Sequence, residues 1–101
     1  MLYLSNDKTL QKMERDPNFD NGFSHAVADK FRMRIQQIVA ADNENDLRNN
    51  GPLHFEKLKG KRKHQYSIRI DRSFRLVFQI ESAGADLNRL AITGMENYHR
   101  G

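Results

Sequence analysis

The 101-residue sequence has no cysteine, only two prolines, and no apolar run near the ~18 residues that a helical membrane span requires. Without cysteine it forms neither disulfides nor thiolate metal sites, and the cytoplasm is the default expectation. The opening Met1-Leu2-Tyr3-Leu4-Ser5 has no basic residue and too short an apolar stretch for a signal peptide. His25, His54, His64 and His99 lack metal-pair spacing, so no metal is expected. The glycines form neither a P-loop nor a dinucleotide fingerprint, so no small-molecule cofactor is expected. Ser24 and His25, adjacent on a helix, point apart and do not make a nucleophile pair. Low-complexity tracts, repeats and linkers are also lacking, so residues 1–101 read as a single domain.

What the chain does have is charge of one sign in one place. From Lys57 to Arg75 it carries eight basic residues against one acidic residue, a net of +7. The remainder holds nine basic and twelve acidic residues, a net of −3. Such segregation suits a polyanionic partner, although a solvated hairpin tip has the same composition.

Two periodicities divide the chain. Residues 7–15 read as a short helix capped by Ser5, Asn6 or Asp7 and stopped by Pro17. Residues 23–41 read as the main helix: Phe23, Val27, Phe31, Ile35 and Ile38 form one apolar stripe, and Lys30, Arg32 and Arg34 project elsewhere. The Asn- and Asp-rich stretch 42–52 reads as a loop with at most one helical turn. Beyond Pro52 the period falls to two. Residues 66–70 and 74–80 alternate with apolar even positions, and 87–93 forms a further strand. An earlier strand over 53–58 changes parity midway, which predicts a bulge or irregular stretch. The expected fold is α+β: two N-terminal helices on one face of an antiparallel sheet of three to five strands.

Strand register turns this pattern into chemistry. The two even-numbered apolar sets share a face only if the loop is 71–73 and Ile70 opposes Phe74. Ile68 then opposes Leu76 and Tyr66 opposes Phe78. The same register sets Arg69 against Arg75 on the other face. Opposed like charges cost roughly 0.2–1 kcal/mol, and an anion between the guanidiniums reverses the sign. Lys59, Lys61, Arg62 and Lys63, around Gly60, extend the positive field along a nucleic-acid backbone. At the C-terminal end, Asn97-Tyr98-His99 supplies a base-stacking ring and a side chain that titrates near neutral pH.

These residues resemble a known family. Leu58-Lys59-Gly60-Lys61-Arg62-Lys63-His64-Gln65-Tyr66-Ser67-Ile68-Arg69-Ile70 is similar to the Leu-Lys-Gly-x-Arg-x-Gly-x-Trp-Ser-Ile-Arg-Ile segment of HigB-type toxins. Phe74-Arg75-Leu76-Val77-Phe78 is similar to their next strand, and Asn97-Tyr98-His99 to their terminal Asp-Tyr-His. The likeness is dense over 53–99. It departs at Asn97, where the family often has Asp, and at Glu56, where some members have a histidine.

The resemblance implies a RelE-like microbial RNase fold and the toxin of a type II toxin-antitoxin pair. It also implies cleavage of mRNA in the decoding site of the small ribosomal subunit, by attack of the RNA's own 2′-hydroxyl and without a metal. Carried over by position, Arg75, Tyr98 and His99 are the catalytic residues. By the same carry-over Lys59 and Arg69 hold the RNA backbone; the charge pattern adds Lys61, Arg62 and Lys63 as RNA contacts, with Asn97 beside them, and His54 joins them if its segment stays extended. The implied partner is a helix-turn-helix antitoxin of the HigA type. The alternatives are a ParE-type inhibitor of DNA gyrase and a non-catalytic RNA-binding regulator.

Overall fold

The computed structural model describes residues 1–97. Strand β1 (Leu2–Ser5) leads into helix α1 (Lys8–Arg15). The Asp7 side chain caps α1 by accepting from the backbone N–H groups of Thr9 and Leu10. Helix α2 (His25–Ala40) starts at Ser24, whose hydroxyl accepts from the Val27 N–H. The loop that follows holds more than one turn, because Asn43 caps a short helix α3 (Glu44–Asn49). Four further strands follow among the described residues: β2 (Glu56–Lys57), β3 (Gln65–Arg69), β4 (Phe74–Gly84) and β5 (Leu87–Asn97). Among the described residues no helix is long and apolar enough to cross a membrane.

The five strands form one sheet in the order β1-β5-β4-β3-β2. The β3–β4 register matches the sequence argument: Tyr66 faces Phe78, Ile68 faces Leu76 and Arg69 faces Arg75. The Ile70 N–H closes the three-residue loop on the Phe74 carbonyl at 2.9 Å. A single buried cluster joins Leu10 and Met13 of α1 and Val27, Phe31, Ile35 and Ile38 of α2 to Ile68, Leu76, Phe78, Leu90 and Ile92 of the sheet.

Three expectations are corrected. The sheet is mixed and not purely antiparallel, because β1 pairs in parallel with β5, Leu4 opposite Ala91. Four residues are too few for a period-two signal to stand out, and the pairing spans almost the whole sequence. The strand expected over 53–58 shrinks to Glu56–Lys57. Gly51–Leu53 is a 3₁₀ turn that buries Leu53, and His54 takes the left-handed conformation at φ 45°. Arg32 and Arg34 do not simply project away. Arg32 donates to the carbonyls of Met13, Asp16 and Phe19, and Arg34 is 7% exposed. Their aliphatic stems cover apolar surface while the guanidiniums satisfy carbonyls that no helix or strand pairs.

The β4–β5 hairpin turns through Ala85 and Asp86 alone, both at positive φ (46° and 63°). Two such residues give the backbone twist that suits a two-residue hairpin. At the edge of the sheet, β1 is tied to α1 by the Tyr3 hydroxyl, which donates to the Glu14 carboxylate. Burial and then that acceptor push the Tyr3 pKa up to about 12.

The Asp7 cap gives a pH-dependent prediction. Its carboxyl lies below its ordinary value, first because the Thr9 hydroxyl donates to it. A carboxylate with a depressed folded pKa stabilises the fold above its unfolded value, near 3.9, and loses that contribution as pH falls through the folded pKa. Asp7→Ala is expected to cost about 1 kcal/mol at pH 7. Urea titration should show the gap between wild type and variant closing as the pH is lowered below about 4. A gap of the same size at pH 2.5 and pH 7 would rule out the cap as its source.

Candidate functional site

The solvent side of β3 and β4 gathers the arginines. Arg75 is buried, 8% exposed, although it lies on the face away from the helical core. Its Nε donates to the Ser67 hydroxyl at 2.7 Å and its Nη2 to the His54 carbonyl at 2.5 Å. Glu56 lies 3.5 Å from the same Nη2. Strand register explains these partners: Glu56 opposes Ser67 across β2–β3, and Ser67 lies two residues along β3 from Arg69.

Arg69 opposes Arg75 directly, and its Nε donates to the Asp71 carbonyl at 3.1 Å. Behind it, Arg34 of α2 donates from Nε to the Arg69 carbonyl at 2.8 Å and from Nη1 to Gln37. Burial, and then the positive charge of Arg69, lower the Arg34 pKa. A guanidinium remains charged even so. Neither Arg34 nor Arg69 has a carboxylate partner among the described residues.

The face is less uniformly basic than the segment 57–75 suggests. Glu96 of β5 opposes Arg75 from the other side and binds Arg62 through two hydrogen bonds, at 2.8 and 2.5 Å. That contact holds the Arg62 pKa above its ordinary value. A third bond, 2.7 Å from Arg62 Nε to Gln65, fixes the side chain. Glu56 and Glu96 therefore flank Arg75 along the sheet, and they offset the repulsion that Arg69 and Arg75 alone would suffer. An anionic ligand at Arg75 has to compete with Glu56.

Lys59, Lys61 and Lys63 are exposed around Gly60 and have no ion pair among the described residues. Gly60 sits at φ 67°, so the loop that carries them turns through a conformation most side chains avoid. His54 contributes its carbonyl to Arg75, and because its backbone is left-handed the extended segment assumed for it is not formed. Its side chain is exposed. Asn97 closes β5 opposite Phe74 and is exposed. Tyr98 and His99 lie outside the described residues.

Sequence reasoning does not single out Ser67 or Glu96; it gives Arg34 only as projecting from the helix, and Glu56 only as a departure from the family pattern. Ser67 and Glu56 follow from the strand register once β2 is placed. Glu96 and Arg34 come from distant elements and leave no local signal. Among the described residues no three His, Asp or Glu side chains converge into a metal-holding group.

The fold and this face place the chain among RelE-like toxins in architecture. A solved structure of a YoeB/ParE toxin from Agrobacterium tumefaciens is similar to it, with a TM-score of 0.60 at 20% identity, over 98% of this chain and 100% of that one. The sequence model of the HigB-like toxins, described as the RelE-like toxin of type II toxin-antitoxin system HigB, matches residues 5–90. The chain belongs to this HigB-like toxin family. No curated protein sequence matches it.

Proposed function

We propose that this chain is a single-domain, ribosome-dependent mRNA endoribonuclease that cuts codons in the decoding site of the small ribosomal subunit and so stops translation in the cytoplasm. Family membership supports the toxin and RNase class. The observation that carries the reading further is Arg75: a buried guanidinium aligned by Ser67 and the His54 carbonyl, beside Arg69, on a face rimmed with lysines. A cation held this way needs little reorganisation when charge develops on a phosphate.

In this mechanism the RNA 2′-hydroxyl oxygen bonds to the adjacent phosphorus as the bond to the 5′-oxygen breaks. The hydroxyl proton leaves to a base and a proton reaches the departing 5′-oxygen. The products are a 2′,3′-cyclic phosphate and a free 5′-hydroxyl. The nucleophile is internal to the substrate, so the step requires no metal to generate it. Arg75 stabilises the phosphorane charge, and Tyr98 and His99 move the protons. Arg69 and Lys59 hold the backbone, Lys61, Arg62 and Lys63 extend that contact, and Asn97 and His54 lie at its edge. The partner that restrains the toxin is a helix-turn-helix antitoxin.

Primer extension in a purified translation reaction tests this. Wild-type protein is expected to produce codon-linked mRNA 5′ ends with ribosomes present and none without them. A halt in translation with intact mRNA would instead make the protein a binding inhibitor.

A further inference from the structure

Among the described residues, three of the four exposed large apolar side chains line a single hollow at the other end of the sheet. Leu2 of β1 (55% exposed), Val39 of α2 (56%) and Leu87 of β5 (54%) surround an open concavity of about 650 Å³. Asp42, Glu44 and Asp86 also line it with no lysine or arginine among the described residues, and the Met1 α-ammonium at its wall is engaged by the carbonyls of Ile38, Val39 and Ala41. Glu44 is paired with Arg48 at 3.2 Å, whereas Asp42 and Asp86 have no ion-pair partner among the described residues. Strand β4 separates this hollow from the arginines. Arg75 lies near its start, and Gly84, opposite Leu87, lies at its end. Nine strand steps put the two about 30 Å apart. A chain of net charge +4 thus collects unpaired carboxylates around its exposed apolar residues at the pole opposite its basic face.

Apolar surface of this kind, with a polar rim, is a protein-contact feature, and the sign of the rim selects the partner. We propose that this hollow docks the antitoxin through an amphipathic segment. Its apolar side chains enter between Leu2, Val39 and Leu87, and its lysines or arginines meet Asp42 and Asp86. The inference rests on family membership, which makes the chain one half of a toxin-antitoxin pair, and not on the cleavage mechanism. The contact leaves the Arg75 face uncovered, so the antitoxin binds the toxin without having to displace an RNA phosphate.

The test is calorimetric titration of the full-length antitoxin encoded beside this chain into wild type, Val39→Asp/Leu87→Asp and Asp42→Lys/Asp86→Lys. Each double variant is expected to raise Kd at least roughly tenfold. For wild type, affinity should fall with added salt, and the Lys variant should lose that dependence. All four positions are on the surface, so the fold and the mRNA cleavage measured without antitoxin should match wild type. Failure of wild type to cleave would count against the proposed function and leave this inference standing. The inference is overturned if both variants bind within twofold of wild type, or if the wild-type chain does not bind that antitoxin. It is equally overturned if wild type sediments as a dimer that Val39→Asp/Leu87→Asp dissolves, since the occupant is then a second copy of the chain.

Discussion

Arg75→Ala is expected to lower ribosome-dependent mRNA cleavage by about 10²–10³-fold, the loss typical of removing one preorganised charge-stabilising donor. Among the described residues the side chain is held by Ser67, the His54 carbonyl and Glu56, so its guanidinium is positioned before RNA arrives. The same burial means that alanine leaves Ser67 and a carbonyl short of a donor, at about 1–3 kcal/mol of stability. Activity therefore has to be compared with thermal denaturation at a temperature where both proteins are folded. Lysine at position 75 supplies charge but not the fork, and its rate should stay well below wild type. His99→Ala should also cut cleavage by at least about 10²-fold through lost proton transfer. The assignment of Arg75 fails if Arg75→Ala, shown to be folded, cleaves within fivefold of wild type.

The largest stability effect is expected at Phe78. Its side chain is fully buried at the centre of β4, where it stacks on Tyr66 at 6.2 Å and meets Phe55 edge-on at 5.8 Å. Arg48 caps this aromatic group from α3, 4.5 Å from the Phe55 ring. Phe78→Ala removes the central ring from a packed cluster and should cost about 3–5 kcal/mol. For a domain of this size that lowers the melting midpoint by at least roughly 12 °C. Phe78→Leu, which keeps most of the volume, should lose much less. Equal melting of the alanine and leucine variants would show that Phe78 does not support the Phe55–Tyr66 cluster.

Much of this arrangement is legible in the sequence. A helix stripe at spacings of three and four residues, and strands whose even positions are apolar, are local patterns. The three-residue loop 71–73 then permits only one register that buries both strands' apolar sets, and that register sets Arg69 opposite Arg75. The sequence narrows the cap of α1 to Ser5, Asn6 or Asp7, of which the structure uses Asp7, whereas the Ser24 cap is not read from it because the apolar stripe begins at Phe23.

Where local rules compete with long-range pairing, the sequence was silent. The run 53–58 looked like a strand because Leu53, Phe55 and Leu58 are apolar, yet Leu53 is buried by a 3₁₀ turn and His54 reverses the backbone to bring its carbonyl to Arg75. Strand β1 has no periodic signal of its own and is recognised only because β5 is there to pair with it.

By itself, then, the sequence determined the two helical stripes, the β3–β4 hairpin and its opposed arginines, and the concentration of positive charge in one segment. All of these depend on residues close together in the chain. Tertiary structure alone decided what surrounds those arginines. It brought Glu96 from β5 to Arg62, Arg34 from α2 to the Arg69 backbone, and Glu56 to Arg75, and it collected Leu2, Val39 and Leu87 into one acidic-rimmed hollow. Each of these contacts joins residues tens of positions apart or in different elements. The packing of α2 and the pairing of β2 and β5 set their distances, and no local periodicity encodes them.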